Sequence, residues 1–142
     1  MKKRLTFIGV VVVLTATIGC TGKMDGVIRR DARRIEIVYT DSRVAVAELV
    51  TVLPDGERFS GKPERLDIAR QITTGDSAAG GDLSAHFEDL QSFSGNTQAT
   101  LSGNRGNTIK CRFKLTDVII GFSSGGFGVC QIADGRVIDV FF

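Results

Sequence analysis

The chain predicts an all-β domain, a small antiparallel meander of about 7–8 strands that closes into a barrel. Three observations carry this expectation. Short runs of Val, Ile and Phe recur between turn-forming segments, and the 142 residues include 17 glycines. The last third alternates apolar with polar residues, the period-two pattern of a sheet with one buried face. Tight turn signals separate the runs, so successive strands pair as neighbours. A long meander curls, and closure removes its exposed edges. The alternative architecture is a β-sandwich.

Val27-Ile28 and the run 35–39 flank Arg29-Arg30-Asp31-Ala32-Arg33-Arg34, which reads as a charged hairpin tip. Residues 43–53 form the longest β-prone stretch, with Val44, Val46, Val50 and Val52 expected on one face. Glu48 interrupts that face and places the strand near a rim. Pro54-Asp55-Gly56 is a turn: proline presets φ and glycine accepts the positive φ such turns need. Residues 57–61 return as a short strand. Leu66, Ile68 and Ile72 suggest a further one, and the glycine-rich stretch 73–82 reads as a loop. Leu83, Phe87 and Leu90 follow Asp82 at helical spacing, so one short helix is expected near 83–91 with Asp82 as its N-cap.

The C-terminal third is clearer. Runs 98–102 and 108–115 flank Gly103-Asn104-Arg105-Gly106-Asn107, a hairpin turn. In the second run Cys111, Phe113 and Leu115 alternate with Lys110, Arg112 and Lys114. An apolar run at 118–122 precedes the flexible stretch 123–126, and 127–132 follows. Asp134-Gly135 marks a hairpin, and 136–142 closes the fold with Ile138, Val140 and Phe142 on one face. Two terminal phenylalanines imply a docked last strand.

The first twenty residues carry an address. Lys2, Lys3 and Arg4 precede an apolar run at 5–14, and Thr17-Ile18-Gly19-Cys20 ends a small-residue stretch, the layout of a secretory signal. Gly19-Cys20 resembles the end of a bacterial lipobox, which implies cleavage before Cys20 and acylation of its thiol, for example with palmitate. Residues 1–19 are then the signal peptide, 20–26 the lipidated cysteine and a short polar tether, and 27–142 a single β domain. An uncleaved membrane helix is disfavoured: the strongly apolar part falls short of the ~20 residues a bilayer requires. Two or three acyl chains suffice for stable anchoring. Thr21 stands where aspartate would favour inner-membrane retention, so the resemblance implies the outer membrane, facing the periplasm. The inner membrane or secretion are the alternatives.

The whole chain carries 18 Lys+Arg and 16 Asp+Glu; removing Lys2, Lys3 and Arg4 leaves fifteen against sixteen, a formal charge of −1. No basic footprint for nucleic acid survives. With Cys20 committed to lipid, Cys111 and Cys130 remain. In an oxidising compartment they read as one disulfide closing a loop of about twenty residues, for about 3 kcal/mol of stabilisation; two separate buried thiols are the alternative. Two cysteines and a distant histidine make a poor metal site.

Little here carries chemistry. Gly125-Gly126-Phe127-Gly128 lacks the helix, lysine and hydroxyl of a phosphate loop and reads as a flexible hairpin. His86, the single histidine, has Ser84, Glu88 and Asp89 beside it, but neighbours on a short helix rarely assemble a triad. Asp134 and Asp139 read as a turn residue and a strand-face residue. Neither a catalytic residue, a metal ligand nor a cofactor is expected. Arg29, Arg30, Arg33 and Arg34 are the one concentrated charge feature, suited either to an anionic surface such as lipid head groups or a phosphate-bearing glycan, or to a solvated tip with Asp31 and Glu36 as counter-charges. The terminal phenylalanine resembles the ending of an outer-membrane barrel, but the expected strands are shorter than the ~9–11 residues such barrels use and aromatic girdles are missing, with one Tyr and no Trp.

Ser94-Gly95-Asn96, Ser102-Gly103-Asn104-Arg105-Gly106, Cys111-Arg112-Phe113, Gly125-Gly126-Phe127-Gly128-Val129-Cys130 and Asp134-Gly135-Arg136-Val137-Ile138-Asp139 resemble segments of small uncharacterised Gram-negative lipoproteins. That family implies no established activity, and its cysteine placement is compatible with a disulfide. The expected role is a lipid-anchored, non-enzymatic envelope module whose partners are the membrane and an envelope protein or glycan. The alternatives are a periplasmic inhibitor of an envelope-attacking hydrolase such as lysozyme, whose serine-glycine-x-x-tyrosine loop is absent, and a hydrolase with a site built from loops near Ser123, Arg136 or His86.

Overall fold

The computed structural model describes residues 21–66 and 93–142. The signal segment, Cys20, His86 with its neighbours, the loop expected at 73–82 and the helix expected near 83–91 lie outside the described residues. Nine strands are present among the described residues: β1 (Gly22–Ile28), β2 (Arg34–Tyr39), β3 (Leu49–Val52), β4 (Arg58–Gly61), β5 (Pro63–Arg65), β6 (Thr97–Gly103), β7 (Thr108–Leu115), β8 (Gly126–Ile132) and β9 (Val137–Phe141). Every pairing is antiparallel, in the order β4-β3-β2-β1-β9-β8-β7-β6, and β4 pairs with β6 to close the ring. The all-β barrel expected from the sequence is the fold.

The closure is a single long seam. Phe59 opposes Gly103 and Ser60 opposes Ser102 on β4; Pro63 opposes Ala99 and Arg65 opposes Thr97 on β5. These pairs share one register, so β5, outside the eight-strand ring, carries β4 onward along β6 after a break at Lys62. Gly61 stands at the break. A Cβ there would overlap the Thr100 carbonyl oxygen and crowd the Leu101 Cα at 2.9 Å, so the two backbones meet only because this residue has no side chain.

Alternation fills the barrel. Met24 and Ile28, Ile35 and Ile37, Leu49, Phe59, Leu101, Ile109 and Phe113, Cys130, Ile138 and Val140 point inward and are buried. Lys110, Arg112 and Lys114 turn outward from β7, whose inner face is Ile109, Cys111, Phe113 and Leu115. Apolar side chains therefore occupy the interior and charge the wall, the reverse of a membrane-spanning channel. Cys111 and Cys130 are directly opposed on β7 and β8, with Cα atoms 4.0 Å apart, and are joined by a disulfide.

One mouth is plugged by rings. A 3-10 turn over Phe122–Ser124 drops Phe122 into it, where it meets Tyr39 at 5.4 Å, Phe113 at 5.6 Å and Phe142 at 5.7 Å between centroids. These separations and mostly edge-on angles suit aromatic quadrupoles. Phe142 is held further by reciprocal backbone bonds with Gly126, 2.9 and 3.1 Å. Phe141, one residue earlier, is exposed.

Two expectations need correction. Residues 43–53 do not form one strand: Val46 and Ala47 donate backbone bonds to the Arg43 carbonyl in a tight turn, and only Leu49–Val52 pairs. Asp41 starts that turn by accepting from the Arg43 guanidinium and backbone, and these hydrogen bonds, with the guanidinium charge a lesser cause, hold its carboxyl below the usual range. Consequently Val44 is buried from the turn, and β3 buries Leu49 and Thr51 while Val52 and Glu48 face water. Glu48 did not interrupt an inner face; it belonged to the outer one. Second, the polar tether expected at 20–26 is already strand from Gly22, because Met24 enters the core and Gly22 opposes Tyr39. The apolar run at 118–122 is turn and 3-10 structure, since Asp117 Oδ1 accepts from the backbones of Ile119 and Ile120 and interrupts any ladder.

Two measurements check the seam and the plug. Gly61→Val should cost about 2 kcal/mol, lowering Tm by roughly 5–10 °C, because the overlap is with backbone. Phe142→Ala should cost about 2 kcal/mol by losing ring contacts, whereas Phe141→Ser should stay within about 0.5 kcal/mol in the same urea titration.

Candidate functional site: an arginine-bearing turn end

Antiparallel connectivity gathers four hairpin turns at one end of the barrel: those after β1, β3, β6 and β8. Three of the four are built locally. Asp31 Oδ1 accepts from the Arg33 backbone, Asp55 Oδ1 from that of Glu57, and Asp134 Oδ1 from that of Arg136. An aspartate two residues ahead of the amide it receives is a side-chain mimic of a backbone turn.

Glu57 ties two of these turns together. It is 2 % exposed, yet its carboxylate is satisfied: Oε2 accepts from Asn107 Nδ2 at 2.6 Å, and Oε1 from the backbones of Arg105 and Asn107. Arg105 returns a bond to the Asp55 carbonyl at 3.1 Å. A buried acid in this setting is held by the donors of a turn and anchors the β4–β6 seam at its outer end.

The expected arginine cluster is divided by the fold. Arg29 makes a two-pronged pair with Asp139, both contacts 2.9 Å, and Arg33 pairs with Asp31 at 3.3 Å. Arg30 and Arg34 make no ion pair among the described residues. Arg136, held by Asp134 at 2.8 Å and near Asp55 at 3.7 Å, joins Arg29 and Arg30 around a shallow concavity of about 340 Å³ that Asp134, Gly135 and Val137 complete. Arg58 and Arg105 stand at neighbouring turns. Sequence reasoning missed Arg58, Arg105 and Arg136 as members because each sits on a different hairpin. The available signal was an arginine within three residues of the Asp or Asn in each of these four turns.

This group faces away from Thr21. The seven residues of β1 run from Gly22 at the opposite end to Ile28 beside the arginines, roughly 20 Å of strand.

The remaining candidates are not brought together. Ser123 Oγ lies 2.7 Å from Ser42 Oγ at the Thr21 end, while Arg136 is at the turn end. Asp134 and Asp139 each hold an arginine, as a turn residue and a strand-face residue. Among the described residues no group of three His, Cys, Asp or Glu side chains could hold a metal ion. No protein-family model, curated protein or solved structure matches the chain, so the geometry carries the functional argument.

Removing the Glu57 carboxylate orphans several donors. Glu57→Ala should cost about 2–3 kcal/mol in a thermal melt, and Arg29→Ala under about 1 kcal/mol because its pair is half exposed.

Proposed function

We propose that this chain is a lipid-anchored envelope protein without catalytic activity: Cys20, acylated after removal of 1–19, holds the barrel on the outer membrane facing the periplasm. The barrel serves as a binding or structural module that offers its arginine-bearing turns to an acidic envelope protein or an anionic glycan. Strand polarity is the observation that supports this. β1 starts two positions after Cys20 and ends at the arginines, so an anchored barrel displays Arg30, Arg34, Arg58 and Arg105 away from its own membrane. The packed interior supports it too, since core side chains fill the barrel and leave its outer surfaces as the places to bind. Exposed guanidinium groups suit carboxylate and phosphate partners through paired donors and raise the encounter rate with anions.

Mass spectrometry of the exported protein should show an acylated Cys20 as its first residue, and Cys20→Ala should lose that mass and leave the membrane fraction; an unmodified amino terminus ends the proposal. Charge reversal at Arg30 and Arg34 together should reduce cross-linking from a photoprobe at position 105 several-fold while leaving Tm within about 1 °C.

A further inference from the structure

At the Thr21 end the surface changes character. Val46, Val52, Ile119, Ile120, Phe127 and Phe141 are the exposed large hydrophobics among the described residues. All but Val52 stand at the end where β1 begins: Val46 in the β2–β3 turn, the isoleucines between β7 and β8, Phe127 at the start of β8 and Phe141 at the end of β9. Ile119 is 78 % exposed, where solvent gives an aliphatic side chain nothing.

The two apolar tips are fixed, not floppy. Ser42 Oγ donates to the Ile120 carbonyl at 2.7 Å, and the Phe122 backbone donates to the Ser42 carbonyl at 2.8 Å, joining the two loops. Asp117 Oδ1 accepts from Ile119 and Ile120, and Phe122 is buried directly behind them. Gly121 has φ +84° and approaches the Ser42 carbonyl more closely than a Cβ would allow. Arg65 reaches the same loop through a 2.9 Å bond to the Val118 carbonyl, setting a cation beside the isoleucines.

We infer that Val46, Ile119 and Ile120 form a lipid-inserting rim, seated in the interfacial region of the leaflet that holds the acyl chains of Cys20. This rests on the anchoring proposed above. Only Thr21 separates Cys20 from the first residue of β1, and two residues of chain reach at most about 7 Å. A tether that short cannot hold the rim clear of the bilayer. Acyl chains retain a protein but do not orient it; an apolar rim flanked by a cation does, by burying hydrocarbon while the guanidinium meets anionic head groups. The arginine-bearing turns are then aimed into the periplasm.

The test uses the full acylated chain in vesicles of phosphatidylethanolamine and phosphatidylglycerol, non-reduced so that Cys111–Cys130 stays closed. An environment-sensitive fluorophore is placed through Ile119→Cys, with Arg105→Cys as the opposite-end control. The label at 119 should shift to the blue and lose most of its intensity to a lipid-borne nitroxide, and the label at 105 should respond only to an aqueous quencher. A 119 label reached by the aqueous quencher, on a chain that carries its acyl mass and floats with the vesicles, overturns the rim and leaves the anchor standing. A 119 label shielded from both quenchers shows that protein covers the isoleucines, either residues 67–92 or a second copy, and also overturns it. A chain lacking acyl mass and failing to float removes the anchor itself, a distinct outcome.

Discussion

The meeting of β4 with β6 is what turns a curled sheet into a barrel. Strands separated by a long connection must approach at ordinary ladder spacing there, at a loop-closure cost that only the β1–β9 pairing, with Asp25 opposite Phe141, exceeds. The Gly61 backbone removes the steric obstacle at the seam, and Glu57 fastens its far end by filling its lone pairs with donors of the β6–β7 turn. Without that contact β4 and β6 would be open edges with unpaired amides and carbonyls. The disulfide reinforces a different line, linking β7 to β8 where the ladder is already continuous.

Closure fills the interior and leaves the two ends to differ. At one end four hairpins, three of them set by an aspartate, raise arginines whose charges are only partly met by neighbouring carboxylates. At the other, longer connections pack an aromatic plug and leave aliphatic side chains facing outward. An even number of antiparallel strands forces this separation, because every odd-numbered connection in the ring returns to the same end. Thr21 stands at the apolar end, so under the proposed anchoring one polarity serves both an anchor and a displayed surface.

Local patterning made much of this legible. The strands of the last third, the hairpins at 54–56, 103–107 and 134–135, and the inward faces of β7 and β9 follow from alternation and turn chemistry that depend only on near neighbours. Stretch 43–53 misled because valine favours strands on any face, while Asp41 captured the backbone of Arg43 and bent the chain before a ladder could form. Strand β1 escaped notice in part because Gly22, Lys23 and Asp25 look like linker; Tyr39 fills the space above Gly22, and only pairing with β2 and β9 makes the segment a strand.

For the site the division is sharper. The residues that cluster in sequence, Arg29 to Arg34, were visible at once, but their counter-charges were not: Asp139 is 110 positions from Arg29. Composition and local spacing by themselves determined an all-β chain, its tight turns and the pairing partner left for Cys111. Register decided the rest. Which arginines are neutralised, which end carries them, and which hydrophobic residues stay outside depend on strands meeting across long stretches of chain. No local preference encodes that distance, because it exists only once the ring has closed.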